Sequence, residues 1–277
     1  MTYQFGLIGY PIKHSLSPWI HGEFLKRTNL QGTYSIVEID PNVSFEEEMR
    51  KLRSMNINGF NITVPYKEKI IDFLDDIDEQ AKKIGAVNTV LCKSGKWIGY
   101  NTDGNGYVRS LRSSFRSLKE GKEKKILLLG AGGAAKGIFH ALIQHGYQHV
   151  TVANRSIDKA ILLIENHPQC KAITLKEAEQ TTDQFDLIIQ TSSVGMKPHV
   201  DQAIIHLTKL KEDAIVSDII YQPLLTKLLK EAESLGASIH FGHTMLLYQA
   251  QYAFEIWTDK RPPMDDLDTE LQNILEG

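Results

Sequence analysis

Reactive sulfur is scarce in this chain of 277 residues: it has two cysteines, Cys92 and Cys170, far apart and outside any C-x-x-C pattern. That excludes a disulfide framework and fits a reducing cytoplasm. No sign of charge dominates, since the formal net charge is −3. Binding driven by neutralising nucleic-acid phosphates is therefore excluded. No apolar run approaches the roughly 20 residues a membrane-spanning helix needs. The chain starts directly with strand-like Tyr3–Ile8, not with a signal-peptide layout. H-E-x-x-H, G-x-S-x-G and Cys–His signatures are all missing, so metal chemistry and acyl-enzyme chemistry are set aside. There is no internal repeat and no low-complexity segment. Lys119–Lys125 is basic but broken by Glu120 and Glu123, and reads as a solvated connector.

What is present is organised around one central stretch. Lys125-Ile126-Leu127-Leu128-Leu129 is an unbroken apolar run, as expected of a strand buried on both faces of a parallel sheet. It leads through Gly130-Ala131-Gly132-Gly133-Ala134-Ala135 into a helical pattern over 134–145. Strand, glycine turn and helix N-terminus form the layout that holds a pyrophosphate, and Gly130-x-Gly132-x-x-Ala135 fits the G-x-G-x-x-G/A form. Gly130 permits the turn, and Gly132 admits the phosphates where a Cβ would collide. The next strand, His149–Ala153, ends at Asn154-Arg155-Ser156. An NAD site carries an acid there for the ribose 2′-hydroxyl, and none is present. Arg155 pairs with a 2′-phosphate instead, and Lys159 adds a second positive charge. The cofactor expected is NADP.

Further strands are expected at Ala172–Leu175, Phe185–Gln190, Ala214–Asp218 and Ser238–His240, alternating with helices. That is the pattern of a Rossmann-type doubly wound parallel sheet in an α/β protein. A smaller α/β domain precedes it. Gln4–Gly9 and Thr33–Ile39 read as strands, and Ser17-Pro18 as an N-cap followed by a first helical residue. Ser15 is left unexplained by the cap, and two hydroxyls beside a helix start suit a small carboxylate. Ser44–Glu47 reads as a capping box. Gly59–Val64 is a strand, Pro65 opens a helix, and Asp76–Ile84 is another. Val87–Cys92 and Trp97–Tyr100 form a hairpin around Ser94-Gly95, and Asp103-Gly104 starts a helix to about Phe115. The long apolar helix Gly242–Trp257 follows a completed sheet and is expected to return to the first domain. The expected division is 1–104 for substrate, 105–240 for NADP, and 241–277 for C-terminal helices completing the substrate domain.

Two residues of the first domain suit proton chemistry. Lys67 falls in the first turn after Pro65, where a positive charge opposes the helix dipole, so a lysine there is a usable acid–base group. Asp103, at another helix start, is either an N-cap or a carboxylate that orients Lys67 and a substrate hydroxyl. Facing a nicotinamide, the pair suits reversible reduction of a ketone.

Taken together, these segments resemble the shikimate dehydrogenases, NADP-dependent enzymes that reduce 3-dehydroshikimate to shikimate in aromatic amino-acid biosynthesis. Ser15-Leu16-Ser17-Pro18 resembles the family's carboxylate-binding segment. Asn61–Lys67 resembles its N-V-T-x-P-x-K segment, implying Lys67 as acid–base and Thr63 as a substrate contact. Gly85–Thr89 and Asn101–Gly104 imply Asn88 and Asp103 on the substrate hydroxyls. Gly130, Ala131, Gly132, Gly133 and Ala134, with Asn154, Arg155 and Ser156, match the phosphate loop and 2′-phosphate clamp. Ser193–Met196 resembles the loop beside the nicotinamide half. Asp218–Pro223 implies Ile219 near the cofactor and Tyr221 near the substrate. Gly242-x-x-Met245-Leu246-x-x-Gln249 implies Gly242 near nicotinamide and Gln249 on the substrate. Glu79 stands, loosely, where the family often has an acid near the cofactor. Gln190, Ser156 and Ile62 depart from the commoner Asn, Thr and Val without removing a charged group. The resemblance implies a small-molecule substrate, no membrane or nucleic-acid partner, and a monomer or homodimer. A quinate/shikimate dehydrogenase with relaxed substrate or cofactor choice stays open at this point. So does a non-catalytic NADPH sensor, although Lys67 and Asp103 are both retained.

Overall fold

The computed structural model describes residues 2–120 and 122–276, and divides into two compact units. The first runs to Gly106 and adds Leu247–Asp265; the second is Tyr107–Leu246 plus the segment from Asp266 on. The chain thus leaves the first unit within one helix and re-enters it within another. The final helix groups with the second unit, whereas the expectation sent both C-terminal helices to the first. Gly121, inside the expected connector, lies outside the described residues.

The first unit contains β1 (Thr2–Gly9), α1 (Ser17–Arg27), β2 (Gln31–Glu38), α2 (Phe45–Ser54), β3 (Gly59–Ile62), β4 (Asp76–Ile77), α3 (Glu79–Ile84), β5 (Thr89–Lys93) and β6 (Lys96–Tyr100). Its sheet runs β2-β1-β3-β5-β6-β4, with β5 antiparallel to both neighbours. Ser94 and Gly95 both take positive φ, 52° and 76°, which gives the tight β5–β6 hairpin. One sheet face buries Ile8, Met49, Phe60, Tyr66, Val90 and Trp97. An aromatic cluster, Phe5, His21, Phe24, Tyr34, Phe254 and Trp257, forms a second core. Gly59 is required beneath Trp257, whose indole fills the space of a Cβ and donates to Val90 O at 2.9 Å.

After α4 (Asp103–Ser114) and the short α5 (Ser117–Glu120), the second unit alternates regularly: β7 (Ile126–Leu129), α6 (Gly133–Gln144), β8 (Val150–Ala153), α7 (Ile157–Ile164), β9 (Lys171–Ile173), α8 (Leu175–Gln180), β10 (Leu187–Gln190), β11 (Ile215–Asp218), α9 (Lys227–Ser234) and β12 (Ser238–His240). Two helices follow, α10 (Gly242–Thr258) and α11 (Leu267–Glu276). The parallel sheet has the order β12-β11-β10-β7-β8-β9, the doubly wound arrangement. Ile126 and Leu128 face one core and Leu127 and Leu129 the other, so β7 is apolar without alternation because both its faces are covered. Buried His240 is held by Ser217 Oγ at 2.9 Å and Ser110 Oγ at 2.8 Å. α11 inserts Leu267 and Leu271, and its Asp268 lies 2.9 Å from His243 at the start of α10. Among the described residues no helix is long and apolar enough to cross a membrane.

Several local expectations change. The residue before α1 in the cap position is Leu16, with no side-chain bond, and Ser17 is already helical. The serine that serves the helix start is Ser15, whose Oγ accepts the Ser17 N–H at 3.2 Å. No α-helix opens at Pro65: the chain turns and makes only a 3₁₀ segment, Lys69–Phe73. Tyr66 is buried there, stacked on Phe45 at 4.4 Å and donating to Ile39 O at 2.7 Å, and the β-branched pair Ile70-Ile71 follows. The expected helix over 76–84 splits, because Asp78 caps Gln80 N–H at 2.9 Å and leaves Asp76–Ile77 as a strand. Ser44 accepts Glu47 N–H, and the reciprocal capping box is instead at Thr174 and Glu177, which cuts β9 short of Leu175.

Candidate active site

Within the first unit, Lys67 and Asp103 meet: Nζ lies 2.7 Å from Oδ2. No α-helix starts at Lys67, so no helix dipole acts on its ammonium. What fixes Lys67 is its backbone, whose carbonyl accepts from Val87 N at 2.8 Å, and the Asp103 carboxylate facing it. The N-cap reading of Asp103 is also overturned. Asn101 Oδ1 takes the Asp103 N–H at 3.1 Å, and Asn101 Nδ2 donates to Ala86 O at 2.9 Å. Asn101 makes the side-chain bond at the start of α4, so the Asp103 carboxylate is released for another use.

Asn88 supplies the next contact. Its Oδ1 accepts Thr102 N–H at 2.9 Å, which turns its Nδ2 toward Asp103 Oδ1 at 2.8 Å. Gln249 Oε1 is 3.4 Å from the same Nδ2. α10 comes this close because of Gly106, where a Cβ would lie 2.6 Å from Gln249 N. Lys67, Asn88, Asp103 and Gln249 therefore converge. Asp103 is buried while Lys67 is about a quarter exposed, at 23% of its side chain, so the pair is open on the lysine side. Thr63 lies at the end of β3 against Gly9 at the end of β1. Ser15 and Ser17 pair at 3.2 Å at the start of α1. Glu79 is exposed in the first turn of α3.

The second unit presents backbone instead. Gly130 has φ 116°, and a Cβ there would strike Thr191 Oγ1 at 2.6 Å, so the fold itself demands glycine. Gly132 differs: it caps α6 in an extended conformation with no side-chain bond, and nothing stands within 4 Å of the Cβ it lacks. The α6 start is thus left to an outside acceptor, with Gly133 and Ala134 in its first turn, Ala131 before it and Ala135 buried below. At the end of β8, Asn154 Nδ2 donates to Ser156 O at 2.9 Å and shapes a turn that leaves Arg155 and Lys159 exposed. An uncapped helix start, a cradle that a Cβ would fill and two exposed cations fit a dinucleotide with a 2′-phosphate. Ile219 N donates to Gln190 O at 3.1 Å. Gly242 is compelled by the Ile219 and Ile220 carbonyls, which occupy the place of its Cβ. Tyr221 is half-buried, and burial raises its phenol above the ordinary value. Gln190 braces the loop after β10: its Nε2 donates to Ser192 O and Val194 O, both at 3.0 Å.

Residues 7–90 match the shikimate dehydrogenase substrate binding domain, 112–220 the shikimate / quinate 5-dehydrogenase description, and 242–266 the shikimate 5′-dehydrogenase C-terminal domain. A curated shikimate dehydrogenase (NADP(+)) from Oceanobacillus iheyensis is 53% identical over 277 residues, all of both chains. The chain belongs to the shikimate dehydrogenase family. Solved structures of the family agree with this shikimate dehydrogenase fold. Shikimate 5-dehydrogenase from Thermus thermophilus, in complex with NADP(H) and shikimate, is 29% identical with TM-score 0.88, over 98% of this chain and 99% of that one. Quinate dehydrogenase from Corynebacterium glutamicum, in complex with NAD, is 26% identical with TM-score 0.88, over 98% and 99%.

Several residues of the site are not singled out by sequence for the parts they play. Asn101, Thr102 and Gly106 build the helix start, and Tyr34, Asn61 and Thr89 lie behind Asn88. Asn61 is a polar residue in an otherwise apolar, fully buried strand, and Gly106 is a glycine inside a helix. Both are local costs that point to a specific contact.

Proposed function

We propose that this chain is an NADP-dependent shikimate dehydrogenase, reducing 3-dehydroshikimate to shikimate reversibly within the shikimate pathway. The Lys67–Asp103 pair, aligned by Asn88, carries this reading. The first unit is the substrate half. Ser15 and Ser17 hold the carboxylate, and Thr63, Asn88, Asp103 and Gln249 contact the ring or its hydroxyls; Tyr221, a residue of the second unit, is assigned to the substrate too. The second unit is the NADP half. Gly130, Ala131, Gly132, Gly133 and Ala134 cradle the pyrophosphate, while Asn154, Arg155, Ser156 and Lys159 take the 2′-phosphate. Ile219 and Gly242 flank the nicotinamide, and Glu79 is assigned to the cofactor as well. When bound, NADPH supplies the hydride that goes to the ketone carbon.

Lys67 does the proton work. As an ammonium, Nζ gives its proton to the ketone oxygen as the hydride arrives at carbon, and the neutral amine takes it back in the reverse direction. Asp103 fixes Nζ and compensates its charge, and its second oxygen is held by Asn88 so that the carboxylate does not rotate. The two free thiols, Cys92 and Cys170, suit a cytoplasmic setting. The deciding experiment compares kcat/KM for shikimate and quinate with NADP and NAD on the purified protein. Shikimate with NADP is expected to be the best of the four pairs. No NADPH formation from shikimate at alkaline pH would reject the assignment.

A further inference from the structure

Behind the substrate face of the first unit runs a chain of buried hydrogen bonds with one direction. Asn61 Nδ2 donates to Asn88 O at 3.1 Å, and a carbonyl can only accept, so the Asn61 amide has one orientation. Its Oδ1 must then receive the Tyr34 hydroxyl, at 2.8 Å. Asn61 Nδ2 also reaches Thr89 Oγ1 at 3.1 Å, and Thr89 donates to Asn88 Oδ1 at 2.9 Å. Asn88 donates in turn to Asp103. Because the single Tyr34 proton is committed to Asn61, Tyr34 offers only lone pairs to its other neighbour, the Ser17 side chain. Ser17 is joined to Ser15 at 3.2 Å. The Tyr34 ring is clamped by His21, stacked at 4.3 Å with planes 3° apart. Burial holds that imidazole down to about 3, so it stacks as a neutral ring.

We propose that Tyr34 is a positioning residue that couples the two ends of the substrate site, setting the Ser17 hydroxyl at one end and, through Asn61, Thr89 and Asn88, the Asp103 carboxylate at the other. Loss of the Tyr34 hydroxyl frees Ser17 to turn away and takes the 2.8 Å bond from Asn61 Oδ1, so the Asn61 amide is less firmly oriented and its hold on Thr89 weakens. This inference rests on the proposed activity, and wild-type turnover of shikimate tests that activity separately.

The experiment is a pair of double-mutant cycles on the full chain, Tyr34→Phe with Ser17→Ala and Tyr34→Phe with Asn88→Ala. The phenylalanine keeps the stack on His21. Tyr34→Phe alone is expected to lower kcat/KM for shikimate about three- to tenfold, as for one buried hydrogen bond. In both cycles that penalty is expected to shrink by about threefold or more, because each partner has already cut the chain. A residue with a merely structural role gives additive penalties in both. Thr89→Val, nearly isosteric, cuts the chain at its middle and is expected to reproduce the loss and the coupling to Asn88. It also serves if Tyr34→Phe proves unstable. Additive penalties in either cycle, or an unchanged kcat/KM in Tyr34→Phe, in an enzyme whose wild type turns over shikimate, would overturn the role of Tyr34 while leaving the activity standing.

Discussion

Asp103 and Gly132 both stand at the start of a helix, one in each unit, and the two helix starts are finished in opposite ways. At α4 the first N–H is taken from within: Asn101 accepts it from Asp103, and the carboxylate is turned aside to Lys67. At α6 the cap is a glycine with no side chain to offer, and the backbone donors are left for an incoming anion. Proton chemistry needs side chains that are fully committed, so that one carboxylate and one amine meet in a single geometry. Phosphate binding needs backbone that is uncommitted. The surroundings of Lys67 are accordingly built of buried amides and hydroxyls, the start of α6 of glycines.

That contrast predicts different failures. The largest belongs to the first unit: Lys67→Ala is expected to lower kcat about a thousandfold, with shikimate affinity nearly unchanged by calorimetry. A variant with wild-type kcat would end the acid–base assignment. In the second unit, Arg155→Ala is expected to reduce the preference for NADP over NAD about ten- to a hundredfold, the effect of losing a charge-assisted pair. Its melting temperature should not move, since Arg155 is exposed. The two glycines sharpen the point further. Gly132→Ala is expected to raise KM for NADP about tenfold with stability intact, because nothing in the protein occupies that Cβ position. Gly130→Ala is expected to cost about 1–3 kcal/mol of stability in denaturant titrations, since its φ of 116° and the Thr191 contact are both intrinsic to the fold. Equal behaviour of the two variants would contradict the division between fold glycine and ligand glycine.

The smallest effect is in acid. His21 in the first unit and His240 in the second are both held down to about 3 by burial. Their ordinary value is higher, so the unfolded chain takes up protons first as pH falls. Each histidine's stabilisation is present above about 6.5 and is lost toward 3, by up to about 1.4 kcal/mol per pH unit. Asp40 and Asp75, held low by backbone donors from Asn42 and Trp97, add to the loss in the first unit only below about 4. In the second unit Asp218 is pushed up to about 7 by burial, so the cost of keeping its charge inside falls away as pH drops below 7 and opposes the loss at His240. Protection factors from hydrogen exchange between pH 6.5 and 4 are expected to fall more in β1 and α1 than in β11. An equal fall in both would remove the asymmetry.

Legibility from sequence follows the same line. In the second unit β7, β8 and β11 lie close to where the apolar runs put them, because a strand covered on both faces announces itself without any partner. In the first unit the runs are short and the polar residues are interior. There the expectation of a helix at Pro65 fails, since the side chain that ties that turn down, Tyr66, finds its stacking partner in Phe45 and its acceptor in Ile39. Ser15 and Ser17 are recognisable as a pair, but their capping duties are exchanged. Lys67 and Asp103 do meet, yet the helix-dipole argument that singles out the lysine has no helix behind it. The relay through Tyr34, Asn61 and Thr89 is not legible, because each link joins different strands and no spacing along the chain encodes it.

Gly106 and Gln249 press together although most of the polypeptide separates them, and Trp257 fills the hollow over Gly59 in the same unit. During synthesis, therefore, the half of the molecule translated first is among the last to be finished. A nascent chain halted anywhere between residues 107 and 246 carries β1 through β6 but lacks Gln249 at the site and the indole that seals the sheet. A premature stop would leave it with an open core, a target for proteolysis rather than a weakened enzyme.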